Sequence, residues 1–121
     1  MEKKLLSLGG IDVYPGQIIQ NSERELETLL KKGKEFSTAN LKRYKGGMIP
    51  NQCHRNSAVL TQMKKSYKLI NGFALSKGFW YHHSWLHNGM NIIETTIEYD
   101  MYFGVELKGW ELEDFIFEND C

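Results

Sequence analysis

The sequence predicts an α+β fold in which N-terminal helices pack on an antiparallel β-meander and a last helix follows. Two observations support this prediction. After Ser22 and again after Pro50 the apolar residues recur at helical spacing, whereas from residue 67 onward the period changes to two, as in half-buried strands. In addition, Asn88-Gly89 is the strongest signal for a two-residue hairpin turn. Together they indicate helices first and consecutive, tightly connected strands afterwards.

The predicted helices have recognisable ends. Ser22 and Glu25 form a capping-box pattern, and Gly33 terminates the helix that follows. A second helix is expected to begin just after Pro50, with Asn51 as its N-cap. A closing helix is predicted at about 110–117 because its apolar residues have the spacing of one helical face.

Length and composition predict one soluble, cytoplasmic domain spanning residues 1–121. Hydrophobic residues make up 41% of the chain, and 15 basic residues balance 15 acidic ones. This neutral balance does not favour a nucleic acid or a membrane as partner. No run approaches the ~18 apolar residues of a membrane-spanning helix. The two cysteines, Cys53 and Cys121, do not make a disulfide framework, so Cys53 is free for other chemistry.

Strands are predicted at 67–75, 79–87, 90–97 and 99–107. If Asn88 and Gly89 are the only loop residues, His83 and Glu94 lie directly opposite each other. Facing side chains in a hairpin have Cβ atoms ~5 Å apart, so the Glu94 carboxylate can accept a hydrogen bond from the imidazole. Such a contact fixes the orientation of a catalytic histidine.

Alternation along the second strand separates the neighbouring histidines. His83, Trp85 and His87 share one face, and His82 lies on the other. His83 is therefore the candidate base and Trp85 a candidate pocket wall, while His87 is expected at the rim and His82 as a partly exposed or packing residue. Asn71 is an alternative orienting residue, because a simple loop at 76–78 would pair it with His83.

Cys53 lies in the first turn of the helix predicted after Pro50. The partial positive charge of a helix N-terminus stabilises a thiolate and lowers its pKa. The free N–H groups there, with Gln52 or Asn51, can bind an oxyanion. His54 follows directly, but adjacent helical positions point about 100° apart, so it is interpreted as part of the solvated helix face.

These residues resemble a known pattern. A cysteine at a helix start, a strand with His83-Ser84-Trp85 and a strand with Glu94-Thr95-Thr96 are similar to the transglutaminase-like branch of the papain-like cysteine enzymes. The resemblance covers about residues 51–96. It implies a papain-like or transglutaminase-like core with Cys53 as nucleophile, His83 as general base and acid, and Glu94 in place of the usual Asp.

The resulting hypothesis is a cysteine-dependent hydrolase or acyl transferase. It would act on an amide of a protein or small molecule through a thioester, without a cofactor or metal. Three alternatives stay open. The first is a non-catalytic binding or inhibitory protein of the same architecture, in which Cys53 is a small buried hydrophobe and His83–Glu94 a structural salt bridge. The second is zinc held by Cys53, His83 and Glu94. In the third, Glu94 faces solvent.

Overall fold

The computed structural model describes residues 1–18, 21–44 and 52–119. The mixed α+β class predicted from the sequence is confirmed. In this part of the chain the elements are, in order, α1 (Glu2–Leu8), β1 (Asp12–Val13), α2 (Glu23–Lys32), β2 (Lys34–Phe36), β3 (Lys42–Arg43), α3 (Cys53–Met63), β4 (Lys68–Ser76), β5 (Phe79–His87), β6 (Ile92–Glu94), β7 (Met101–Glu106) and α4 (Gly109–Asn119).

The strands form one sheet with the order β2-β7-β4-β5-β6-β3, and β1 pairs with the start of β5. The consecutive antiparallel strands β4, β5 and β6 match the predicted meander. The fourth strand of that meander was predicted in the wrong place, because β7 pairs with β4 and not with β6. The other edge of β6 is occupied by β3, which pairs with it in parallel.

The turn between β4 and β5 has two residues, not the three predicted. Ser76 pairs with Phe79, and Lys77 and Gly78 have φ angles of 51° and 88°. Positive φ at both central residues is the requirement of a type I′ turn, whose twist matches that of the flanking strands. The shorter loop shifts the register by one residue, so Asn71 pairs with Ser84 and not with His83.

The turn between β5 and β6 is longer than predicted. His87 pairs with Ile92, which leaves four residues, 88–91, in the loop. The Asn88 side chain organises it by accepting hydrogen bonds from the N–H groups of Met90 and Asn91, at 2.9 and 2.7 Å. Glu94 is therefore diagonal to His83, not directly opposite. Because the register shift is two residues, both side chains still lie on the same face of the sheet.

Helices cover one face of the sheet, which we call the outer face. Leu5 of α1 and Leu29 of α2 are buried there against Phe73, Trp80 and Phe103. The predicted capping box of α2 is present, with both hydrogen bonds between Ser22 and Glu25 formed. At the other end of the outer face, Leu60 of α3 and Leu112 and Phe115 of α4 pack on Leu69 and Leu86.

The opposite, inner face lies inside a curl of the sheet. The ring of Phe36 in β2 is 5.7 Å from that of Trp85 and 5.2 Å from that of His87, both in β5. These contacts form although β7 and β4 separate β2 from β5 in the sheet. His83, Glu94 and Tyr102 also point to the inner face. Within the described segments, the helices lack the combination of length and apolar character needed to cross a membrane.

Candidate active site

Cys53 is the first residue of α3 and lies beside the centre of β5. On this side of β5, β1 pairs only with Phe79 and Trp80, and β6 only with Leu86 and His87. The N-terminus of α3 packs at the gap between them, where Cys53 bonds to His83 and His54 to Ser84. Gln52 is the N-cap residue, without a side-chain capping bond. It takes the position predicted for Asn51, which lies outside the described residues.

The Cys53 thiol is held between two imidazole rings. Burial by itself would raise its pKa, but hydrogen bonds with His54 and His83 and attraction to both rings outweigh burial, and the pKa falls to about 5. A free thiol has a pKa near 8.5. Cys53 is therefore a thiolate at neutral pH.

His83 supplies the counter-charge from the inner face of the sheet. It is only 1% exposed, and its Nε2 lies 3.0 and 2.9 Å from the two carboxylate oxygens of Glu94. Burial lowers the pKa of His83, but its bonds to Cys53 and Glu94 and their negative charges raise it to about 9. Since Nε2 donates to Glu94, Nδ1 is the nitrogen that remains for the thiol.

Glu94 is fully buried, and both of its carboxylate oxygens accept hydrogen bonds from neighbouring groups. Oε1 accepts hydrogen bonds from the N–H and hydroxyl of Thr96, at 3.2 and 3.1 Å. Oε2 accepts one from the Tyr102 hydroxyl at 2.6 Å. A buried carboxylate needs such donors to offset its lost hydration. Because these contacts fix both oxygens, they also fix the orientation of the His83 ring.

Three aromatic rings enclose His83 on the inner face. The centroids of Tyr99, Trp85 and Tyr102 lie 4.4, 5.8 and 6.1 Å from that of the imidazole. Electron-rich ring faces attract a cation at such distances. Trp85 was predicted as a pocket wall; it is instead fully buried beneath His83, because it shares the curled inner face with Phe36 and Tyr102.

His54 was wrongly placed on a solvated helix face. Its Nδ1 lies 2.8 Å from the Ser84 hydroxyl, and its ring packs 4.6 Å from that of His82. It also bonds to the Cys53 thiol. The divergence of adjacent helical side chains remains, but here it lets Cys53 and His54 straddle the edge of β5. Cys53 contacts inner-face His83, while His54 contacts outer-face Ser84.

Asn71 does not orient His83. Because of the register shift it lies on the outer face, where its Oδ1 is 3.1 Å from Nε2 of His82. His82 itself is half-buried, and burial together with the charges of His54 and His83 lowers its pKa to about 3. Two histidines thus flank His83 in space, but His82 stays neutral. His87 lies at the end of β5, where its Nδ1 accepts the Gly89 N–H.

The described residues contain no group of three or more His, Cys, Asp or Glu side chains placed to hold a metal ion. Zinc was considered as an alternative from the sequence, with Cys53, His83 and Glu94 as its ligands. In the structure these three side chains contact one another in series. Glu94 bonds to Nε2 of His83, and Cys53 bonds to the same ring. A thiol, an imidazole and a carboxylate in series can serve as a nucleophile, a base and an orienting acid.

The contacts of Tyr102 and Thr96 with Glu94 were not predicted from the sequence. A signal for Tyr102 was present, since period-two alternation puts this aromatic hydroxyl on the otherwise polar side of its strand, with Asp100 and Glu106.

Comparison of the chain with models of protein families finds no match, and comparisons with curated proteins and with solved structures find none either.

Proposed function

We propose that this protein is a cysteine-dependent hydrolase or acyl transferase that acts on an amide through a thioester. The observation that carries the proposal is the series Cys53–His83–Glu94, with a thiol pKa of about 5 and an imidazole pKa of about 9. A buried salt bridge between His83 and Glu94 alone would not require a thiol on the same ring. We further propose a papain-like or transglutaminase-like core, in which such a cysteine also begins a helix beside the sheet.

The reaction follows from the protonation states. The Cys53 thiolate attacks the carbonyl carbon of the amide, and the carbonyl π electrons move to oxygen. As the tetrahedral intermediate collapses, the C–N bond breaks and the imidazolium of His83 gives its proton to the leaving nitrogen. Neutral His83 then takes a proton from water or from an amine, which attacks the thioester carbonyl and releases Cys53. Glu94 keeps the ring oriented and stabilises its charged form.

The developing oxyanion would be stabilised at the start of α3. The first N–H groups of a helix have no intrahelical partner, and Cys53 is the first helical residue here. The exposed side chain of Gln52 makes no capping bond within the described residues and can donate a further hydrogen bond. Asn51 remains a candidate from the sequence for the same task. The substrate is a protein or small amide.

The pH dependence of alkylation tests the proposal. Wild type, His83→Ala and His87→Ala would be treated with iodoacetamide between pH 4.5 and 9, and labelling of Cys53 and Cys121 would be quantified separately by mass spectrometry. We expect Cys53 to react with a midpoint near pH 5 in wild type and His87→Ala, and at least about tenfold more slowly at pH 6 in His83→Ala. Cys121 provides an internal comparison.

A second measurement tests acyl transfer. p-Nitrophenyl acetate would be added to wild type and to Cys53→Ala, and release of nitrophenolate would be followed together with the mass of the protein. We expect an acetyl thioester on Cys53 and its disappearance when water or an added amine attacks. An ordinary thiol titration that His83→Ala leaves unchanged would overturn the proposal and favour a binding or inhibitory protein.

A further inference from the structure

A cavity of about 220 Å³ lies on the outer face, next to the candidate active site. His54, His82 and Asn71 line it from α3 and the sheet, and Phe115 lines it from α4. His54 is shared, because it also bonds to the Cys53 thiol. A group bound in this cavity would therefore be one side chain away from the nucleophile.

The cavity continues into a second one of about 310 Å³, since Glu25, Phe115 and Glu118 line both. The second cavity reaches Trp110 and lies between the N-terminus of α2 and the helix α4. We call the two together the α2–α4 groove. Phe115 lies where the two cavities meet, and Trp110 lines only the second one.

The charge of the α2–α4 groove is strongly negative. Four carboxylates line it: Glu25, Glu111, Asp114 and Glu118. The one Lys or Arg among its described lining residues is Arg24, whose guanidinium stacks on Trp110 at 4.3 Å. The chain as a whole has no net charge, so the acidity is local. It favours a cationic ligand over a neutral or anionic one.

Asn71 also lines the smaller cavity. Its side chain is only 3% exposed, and its Oδ1 lies 3.1 Å from Nε2 of His82. A side-chain amide carries N–H donors as well as this acceptor oxygen. A ligand carbonyl in the cavity would accept a hydrogen bond from Nδ2.

From these observations we infer that the α2–α4 groove binds a basic peptide segment next to the amide on which Cys53 acts. A lysine or arginine side chain occupies the smaller cavity, with its alkyl part on Phe115 and its charge near Glu25 and Glu118. The peptide carbonyl accepts from Asn71. This inference rests on the proposed function, since it names the substrate class of the same site.

Binding can be tested without turnover in the Cys53→Ala chain. The probes are a fluorescein-labelled peptide that alternates glycine and lysine and the matched peptide with glutamate in place of lysine. Fluorescence anisotropy at low and at physiological salt gives the affinities. We expect the lysine peptide to bind and to weaken as salt rises, because the contacts are partly exposed charges. The glutamate peptide should not bind.

Two variants of α4 locate the site. Glu118→Lys reverses a charge in both cavities, whereas Glu113→Lys makes the same change at an exposed position that lines neither. We expect about tenfold weaker binding for Glu118→Lys, as attraction becomes repulsion, and little change beyond the net charge for Glu113→Lys. Glu25→Gln should also weaken binding while preserving the capping box, which accepts Gln as well as Glu.

Equal binding of the two peptides, or equal effects of Glu118→Lys and Glu113→Lys, would overturn the inference. Either result leaves the alkylation of Cys53 untouched, because that measurement needs no peptide. Conversely, an unreactive Cys53 would overturn the proposed function while peptide binding in the groove persists. The two failures are therefore distinguishable.

Discussion

The hydroxyl of Tyr102 donates a 2.6 Å hydrogen bond to Oε2 of Glu94, although β4 and β5 lie between their strands in the sheet. The bond spans the inner face of the curl and joins β7 to the end of β6. Both residues are buried, with exposures of 1% and 0%. The acid that orients His83 is thus also a link between the two flanks of the sheet.

Replacing Tyr102 by Phe tests this link. The change removes one hydroxyl and leaves Oε2 of Glu94 without its shortest contact. Since hydrogen bonds to charged groups contribute about 1.5–3 kcal/mol, we expect the free energy of unfolding to fall by that amount in urea titrations. The midpoint of Cys53 alkylation should also move to higher pH, because a less constrained carboxylate stabilises the His83 imidazolium less.

Tyr81→Phe is the matched control for Tyr102→Phe. Tyr81 also belongs to the sheet, in β5, but its ring stacks on Tyr14 at 5.0 Å on the margin of the fold. We expect a smaller loss of stability and an unchanged alkylation midpoint. If the two variants behave alike, Tyr102 has no positioning role.

Glu94→Gln separates charge from shape at the same site. Glutamine keeps an oxygen that can accept the Nε2–H of His83, but it carries no negative charge. The pKa of His83 should therefore fall from about 9, and the pKa of Cys53 should rise from about 5, because each is shifted partly by the charge of its neighbour. We expect the alkylation midpoint to rise by about one pH unit or more. An unchanged midpoint would show that Glu94 acts on His83 by geometry alone.

His82 predicts a sensitivity of the fold to acid. Burial, with the charges of His54 and His83, lowers its pKa to about 3, whereas in the unfolded chain a histidine titrates near 6.5. Between these values the unfolded state binds one more proton, so stability falls as the pH falls. The contribution is about 1.4 kcal/mol per pH unit within that window.

The measurement is urea unfolding of wild type and His82→Gln at pH 6 and at pH 4.5. We expect the variant to lose less stability between the two values, because the difference between the chains isolates the titration of His82. Equal losses in both chains would mean that His82 is protonated in the folded state as readily as in the unfolded one.

Gly104 is a position where the close packing of the inner face can be tested. A Cβ added there would lie 2.8 Å from Cη2 of Trp85, 2.8 Å from the carbonyl oxygen of Asn71 and 2.9 Å from Cγ2 of Ile70. Two of these neighbours are buried side chains and the third is backbone, so the chain must shift. We expect Gly104→Ala to lower the free energy of unfolding by about 1–3 kcal/mol. A wild-type unfolding midpoint would contradict the packing described here.

Local signals were the most successful predictors of this fold. The capping box at Ser22 and Glu25 depends on residues three positions apart, and it marks the start of α2 correctly. The two hairpin turns were less predictable, because the Asn88 side chain stabilises a four-residue loop where a two-residue turn was expected. The predicted contact between His83 and Glu94 is nevertheless present, because a register shift of two residues leaves both side chains on the same face of the sheet.

Pairings between strands distant in sequence could not be predicted from local sequence patterns. Nothing local indicates that β7 passes β6 to pair with β4, and that pairing is what brings Tyr102 to Glu94. His54 was misplaced for the same reason, because its burial depends on where the start of α3 meets β5. Helix and strand periods identify faces, but they do not say which faces meet.

The link between Glu94 and Tyr102 has a consequence for the evolution of this architecture. Cys53 is half-buried at a helix start and is not a member of the hydrophobic clusters formed by the described residues, so a related chain could lose the thiol and keep its shape. The same chain could not lose the carboxylate without losing the hydrogen bond that joins β6 and β7 across the inner face, and the curled sheet would be less stable. A related chain without the proposed activity should therefore retain the acid, the tyrosine and the histidine, while serine or alanine can replace its cysteine.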